Sequence, residues 1–281
     1  MDLDKAILFG ELVNAAYAIA PHNTANAAGQ VINVGYGAIN VAYEVVTTIY
    51  ACDLATDMHP DRGQDEVSIG LVLQATATGD VVIAIRGTEG ILEWIHDAEF
   101  IHVKCPFLAG AGHTEDGFTA VYLSLRTDLA TGSPTVAHAL ATLPFKSAVN
   151  SLTVCGHSLG GALATLLALD VAANTPFTDP TVYTYASPRT GDPLFVSTYN
   201  QVVPHTFRIA NRLDLVPKLP LPPLYEHVLR GYELNPIKFG IPPTILVKSD
   251  IPCEHYLSSY LHLLSQRAGG PVLPLASPCV P

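Results

Sequence analysis

Six consecutive residues, Gly156-His157-Ser158-Leu159-Gly160-Gly161, make a G-x-S-x-G pattern. Before it lies a short apolar run that reads as a buried strand, Leu152 to Cys155. After it lies an Ala/Leu-rich run that reads as a helix, Leu159 to Ala173. A serine on a sharp strand-to-helix turn projects its hydroxyl, and a side chain at Gly156 or Gly160 would collide with the neighbouring strand or helix. The helix start aims the Leu159 backbone N–H at any oxyanion that forms when Ser158 attacks a carbonyl. The chemistry implied is nucleophilic acyl transfer. A simple glycine turn would carry the same letters, but the flanking elements favour the nucleophile.

A serine hydroxyl attacks only when a histidine removes its proton, and that histidine needs a carboxylate to fix its tautomer. Behind a serine of this kind the chain order is acid, then histidine. The acids after Ser158 are Asp170, Asp179, Asp192, Asp214, Glu226, Glu233, Asp250 and Glu254. Asp214 stands out, because Asn211 to Pro217 directly follows an apolar strand ending at Ile209, which puts its carboxylate just past a strand's carboxyl edge. The histidines are His205, His227, His255 and His262. Order favours the last two, and composition does not separate them.

The elements that must position these groups follow from periodicity. Asp4 to Ala20 is an amphipathic helix, read as scaffold. Tyr43 to Tyr50, Ser68 to Ala75 and Val81 to Ile85 are strands, the last two joined by a turn at Thr76 to Asp80. Helices are expected over Glu115 to Leu129 and Thr135 to Leu143. Strands over Thr181 to Ala186 and His205 to Ile209 lead into polar loops, as parallel strands do at one edge of a sheet. Lys218 to Pro243 is Pro-rich and is expected to be surface loop. The whole, residues 1–281, reads as one α/β domain without internal repeats.

Composition narrows the partners. Hydrophobic residues make up 49% of the chain and charged ones 14%, which is a well-buried globular protein. Fourteen Lys+Arg against 25 Asp+Glu give a formal charge of −11, which repels nucleic acid and anionic membrane surfaces. Met1-Asp2-Leu3-Asp4-Lys5 lacks the basic start of a secretory signal and no apolar run is long enough to span a bilayer, so the chain as given is expected to be soluble, its compartment open. The five cysteines form no CxxC pair, which argues against a zinc site and a dense disulfide framework; Cys155 is expected to be an unpaired buried thiol. Pairing among Cys52, Cys105, Cys253 and Cys279 depends on geometry.

Several stretches, taken in order, resemble the class 3, or fungal-type, lipase family with its α/β-hydrolase fold. They are Ile85-Arg86-Gly87-Thr88 with Trp94-Ile95-His96-Asp97, Gly156 to Gly161, Tyr185 to Asp192, Asn211 to Pro220, and His255 with Tyr260-Leu261. The resemblance covers about residues 40 to 265. It implies that Asp214 is the triad acid, that His255 is the base with His262 a bystander, and that Thr88 joins Leu159 as an oxyanion donor. Arg86 and Arg189 look like signature residues that hold loop carbonyls or a buried ion pair, away from substrate. The cysteines depart from the family's fungal disulfide set, which puts secretion in question.

A short lid is implied at residues 90–99, and the pattern supports it. Ile91, Trp94, Ile95 and Ala98 fall on one helical face and Glu93, His96 and Asp97 on the other, an amphipathic helix able to meet a lipid–water interface. The implied substrates are acylglycerols, with no metal and no organic cofactor. A non-lipase esterase such as a feruloyl esterase, and a catalytically silent lipid-binding relative, are the alternatives.

Overall fold

A computed structural model of the chain describes residues 1–19, 27–52, 66–88, 100–127, 135–235 and 251–279. The lid segment 90–99, with Ile91, Trp94 and Ile95, lies outside the described residues.

The chain begins with helix α1 (Leu3–Ile19) and a hairpin, β1 (Val31–Tyr36) and β2 (Ile39–Cys52). Strands β3 (Glu66–Ala75) and β4 (Val81–Ile85) follow around the expected turn at Thr76 to Asp80. A small two-stranded sheet, β5 (His102–Lys104) with β6 (His113–Glu115), precedes α2 (Asp116–Ser124), the two-residue β7 (Arg126–Thr127) and the single turn α3 (Val136–Ala139). The remaining body is β8 (Leu152–His157), α4 (Leu159–Asn174), β9 (Thr181–Tyr185), α5 (Pro193–Val202), β10 (Thr206–Asn211), β11 (Gly231–Leu234), α6 (Ile251–His255) and α7 (Leu257–Ala268).

The main sheet runs β1-β2-β3-β4-β8-β9-β10-β11. Strands β1 to β4 pair antiparallel, and β4, β8, β9, β10 and β11 pair parallel, so the sheet is mixed with a parallel majority. Parallel strands buried on both faces need apolar residues at every position, and β4 is buried along its whole length. Val81, Ile83 and Ile85 face the α2–α5 layer while Val82 and Ala84 face α1 and α7.

Helix α4 sits at the centre of the first layer. From Leu159 to Ala172 all of its residues are buried, as a helix apolar on every side must be. Its one acid, Asp170, is fully buried, and its oxygens accept from the Tyr122 hydroxyl at 2.5 Å and the Asn174 amide at 2.7 Å.

Three expectations need correction. The helix expected to reach Leu129 ends at Ser124, because Leu125 turns extended and Arg126–Thr127 pairs with Tyr50 and Ile49 of β2. The helix expected over Thr135 to Leu143 is one α turn capped by Thr135, then a 3-10 turn over Leu140–Thr142, stopped by Pro144. Lys218 to Pro243 is not all loop, since β11 lies inside it and extends the parallel sheet beyond β10. Helix α5, whose Asp192 cap and Pro193 start were legible, was not anticipated.

Cys253 and Cys279 form a disulfide, while Cys52, Cys105 and Cys155 are free and Cys155 is fully buried. Among the described residues no helix is long and apolar enough to cross a membrane.

Tyr122→Phe strips a hydroxyl from a buried carboxylate, so it is expected to lower unfolding stability by about 1–3 kcal/mol, read as a fall in the urea midpoint at pH 7. An unchanged midpoint contradicts this account of α4.

Candidate active site

Ser158 stands between β8 and α4 with φ 59° and ψ −127°, a left-handed backbone that costs a non-glycine residue of order 1–3 kcal/mol. Its neighbours make the turn possible. A Cβ on Gly156 would overlap the backbone of Gly160, and one on Gly160 would overlap the carbonyls of Ile85 and Arg86 at the end of β4. The helix therefore starts in contact with both strands. Its first turn presents N–H groups without intrahelical partners, Leu159 among them, beside the serine.

Asp214 and His255 arrive from the segments that follow the last two parallel strands, β10 and β11. His255 ends α6, and its Nε2 lies 2.8 Å from Ser158 Oγ. Asp214 follows β10, and its Oδ2 lies 2.9 Å from His255 Nδ1. Asp214 is fully buried and its oxygens are satisfied, Oδ1 by the Val216 N–H at 2.9 Å and Oδ2 also by the Tyr260 hydroxyl at 2.7 Å. Because a carboxylate only accepts, the proton in the His255–Asp214 bond is on His255 Nδ1, which leaves Nε2 to accept a hydrogen bond from the Ser158 hydroxyl. Burial and the Asp214 charge hold the Tyr260 phenol well above its ordinary value, so it donates throughout.

Thr88 lies on the chain just past β4, where the backbone passes close to the serine. A Cβ on the preceding Gly87 would come within 2.8 Å of the Ser158 Cβ. Arg86 donates to the Ser68 and Gly87 carbonyls at 2.9 and 2.8 Å, and Arg189 to those of Pro220 and Lys218, so both hold loop carbonyls.

The remaining candidates sit elsewhere. His262 Nδ1 lies 2.6 Å from the Leu273 carbonyl, His227 bonds to Pro217, and His205 faces Asp179 at 3.5 Å. Asp192 caps α5 and binds His113.

Two residues were not foreseen. Helix α1, read as scaffold, supplies Tyr17, whose hydroxyl accepts the Gly87 N–H and lies 2.8 Å from His157 Nδ1. His157 Nε2 lies 2.8 Å from the His255 carbonyl, which can only accept. The His157 proton is therefore on Nε2, and Tyr17 donates to Nδ1. Burial, then the neighbouring His255, keeps His157 well below the ordinary 6.5 and neutral. One hydrogen-bonded relay thus ties the turn before Thr88 to the backbone of His255. The available signal was a polar-tipped aromatic one helical turn past Val13 and a histidine inside a buried strand end, each of which demands a partner.

The family model described as Lipase (class 3) matches residues 82–223, half of the chain. The chain belongs to the class 3 lipase family. Membership makes it an ester-hydrolysing enzyme. Among its relatives, "Phospholipase A1-II 7" of Oryza sativa subsp. indica is 29% identical over 96% of this chain and 78% of that protein. "Secreted mono- and diacylglycerol lipase A" of Penicillium cyclopium is 34% identical over 55% of this lipase and 48% of the relative. The crystal structure of a Penicillium cyclopium MDLA mutant superposes with a TM-score of 0.57 at 24% identity, over 83% of this chain and 79% of that one, which shows the α/β-hydrolase fold.

Tyr17→Phe is expected to leave Gly87 N–H and His157 Nδ1 unpaired and to lower kcat on a soluble ester by about tenfold with little change in KM. An unchanged kcat removes the relay from the site. Acid sensitivity is a second expectation. Burial, with Arg208 and Arg189 nearby, pushes His227 down to about 3, and His157 is held low as described. The unfolded chain binds protons at both below pH 6.5 and the folded one does not, so stability falls as pH drops through that value, by up to about 1.4 kcal/mol per pH unit per histidine. Urea unfolding from pH 7 to 5 reads this slope, and His227→Gln should make it shallower.

Proposed function

We propose that this lipase hydrolyses acylglycerol esters through an acyl-enzyme on Ser158. The supporting observation is the unbroken hydrogen-bonded chain from Ser158 Oγ through His255 to Asp214, closed by Tyr260. Ser158 Oγ attacks the ester carbonyl as His255 Nε2 takes its proton. The carbonyl oxygen becomes an anion held by the Leu159 and Thr88 N–H groups, near the positive end of α4. His255 passes the proton to the departing alcohol, leaving an acyl ester on Ser158. Water, deprotonated by His255, then releases the fatty acid and restores the hydroxyl.

The lipid–water interface is the proposed place of work, and the apolar face of Ile91, Trp94 and Ile95 in the sequence of residues 90–99 supports a lid there. Action outside the cell is supported by the Cys253–Cys279 bond, since disulfides persist in oxidising compartments. The feruloyl-esterase and silent lipid-binding alternatives are not favoured: the relatives are lipases and phospholipases, and the hydrogen-bonded chain is complete.

Initial rates on para-nitrophenyl esters from acetyl to palmitoyl, then on emulsified triacylglycerol, test this reading. Wild type is expected to cleave long chains and accelerate at the emulsion, with Ser158→Ala lower by about a millionfold, as when a triad serine is lost. Cleavage of short or aromatic esters alone would return the esterase alternative.

A further inference from the structure

His255 is carried by a helix too short to hold itself. Helix α6 is five residues, Ile251–His255, and a single turn fixes several backbone dihedrals for hardly any internal hydrogen bond. Its direction must therefore be set from outside. Its last residues are held by their carbonyls: Glu254 accepts from Asn211 Nδ2 at 2.9 Å, and His255 accepts from His157 Nε2 at 2.8 Å. Nearer its start stands Cys253, buried and bonded to Cys279. Two residues span about 200° of helical turn, so Cys253 and His255 leave α6 on opposite sides. The disulfide grips the back of the turn whose front meets Ser158 Oγ.

Cys279 lies in the segment that follows α7. Leu273 anchors the start of that segment, with its N–H on Ser265 Oγ at 2.9 Å and its carbonyl 2.6 Å from His262 Nδ1. Farther on, Ser277 and Pro278 are exposed, and the Cys279 N–H turns back on the Ala276 carbonyl at 2.9 Å. Ala276 and Pro278 border, with Pro252 of α6, the cavity that Thr88 and His255 help to line. Between the two cysteines runs α7, whose Leu257, Tyr260, Leu261 and Leu264 are buried in one core cluster with Ile7 and Leu12 of α1. Opening the bond therefore frees the segment after α7 and the back of α6, and leaves α7 packed.

The structure assigns to the Cys253–Cys279 pair the role of a redox-gated positioning device for the base. Closed, it aligns His255 with Ser158; opened by a dithiol reductant, it lets α6 shift and slows ester cleavage. The inference rests on the proposed acyl-enzyme chemistry. In opening, one thiolate of the dithiol attacks a cystine sulfur, and its second sulfur then displaces the mixed disulfide. Two electrons and two protons pass to Cys253 and Cys279, and the dithiol leaves as its own disulfide. A misplacement of about 1 Å at a reacting group can cost on the order of a hundredfold in rate, so the gate needs no unfolding. The enzyme is then competent in an oxidising compartment and slow in a reducing one.

The test uses two butanoyl esters. Ethoxide leaves only with the proton that His255 delivers, whereas para-nitrophenolate leaves as a stable anion. Cys279→Ser opens the bond without touching α6. Relative to oxidised wild type it is expected to lose about thirtyfold in kcat/KM on ethyl butanoate and about threefold on para-nitrophenyl butanoate, so the ratio falls about tenfold. Wild type treated with dithiothreitol should fall to the values of the variant, and the variant should not respond to the reagent. Alkylation in denaturant should then count five thiols in wild type in place of three. A count still at three after treatment of the folded protein, or an open bond that leaves both rates unmoved, overturns the gate. So does an equal loss on the two esters, which marks a damaged fold rather than a displaced histidine. If oxidised wild type cleaves neither ester, or Ser158→Ala cleaves both as fast, the acyl-enzyme reading falls instead.

Discussion

The arrangement depends on one tight crossing, where helix α4 leaves strand β8 and passes against the end of β4 with only hydrogen atoms at Gly156 and Gly160 between the backbones. That contact forces Ser158 into its left-handed backbone and keeps the hydroxyl raised. The burial around α4 resists relaxation of the turn: its apolar residues on every side leave the helix no direction in which to retreat without opening a cavity. Catalytic geometry and core packing are thus one constraint seen from two ends.

Around that crossing the site is built from neutral hydrogen-bonded links. Tyr17, His157 and Tyr260 are each buried or half-buried, each uncharged, and each spans two segments that are distant in sequence. Asp214 is the carboxylate that joins these links, and it is buried with three donors. Such links hold position without the desolvation cost of further ion pairs.

The sequence made the strand-turn-helix at Ser158 legible because steric necessity writes itself as glycine at fixed spacing. The parallel strands were legible from their unbroken apolar runs, as at Val81 to Ile85. Asp214 could be singled out by its place after a strand, whereas His255 could not be told from His262 without the family resemblance. The distinction is three-dimensional: His262 turns toward Leu273 and Gln266 on the outer side of α7. Tyr17 escaped notice because nothing local to α1 states what lies across the interface. Strand β11 escaped because four residues between prolines become a strand only when β10 is there to pair with them.

The cavity that Thr88 and His255 help to line is bordered from opposite ends of the described chain, by Asn14 and Tyr17 of α1 and by Ala276 and Pro278 beyond α7. During synthesis the serine turn leaves the ribosome about a hundred residues before His255 does, and the disulfide partner Cys279 comes later still. A growing chain therefore carries the Ser158 turn before His255, Cys279 and the residues after α7 can join it. The hydrogen-bonded chain from Ser158 through His255 to Asp214 is therefore assembled only once most of the polypeptide has emerged.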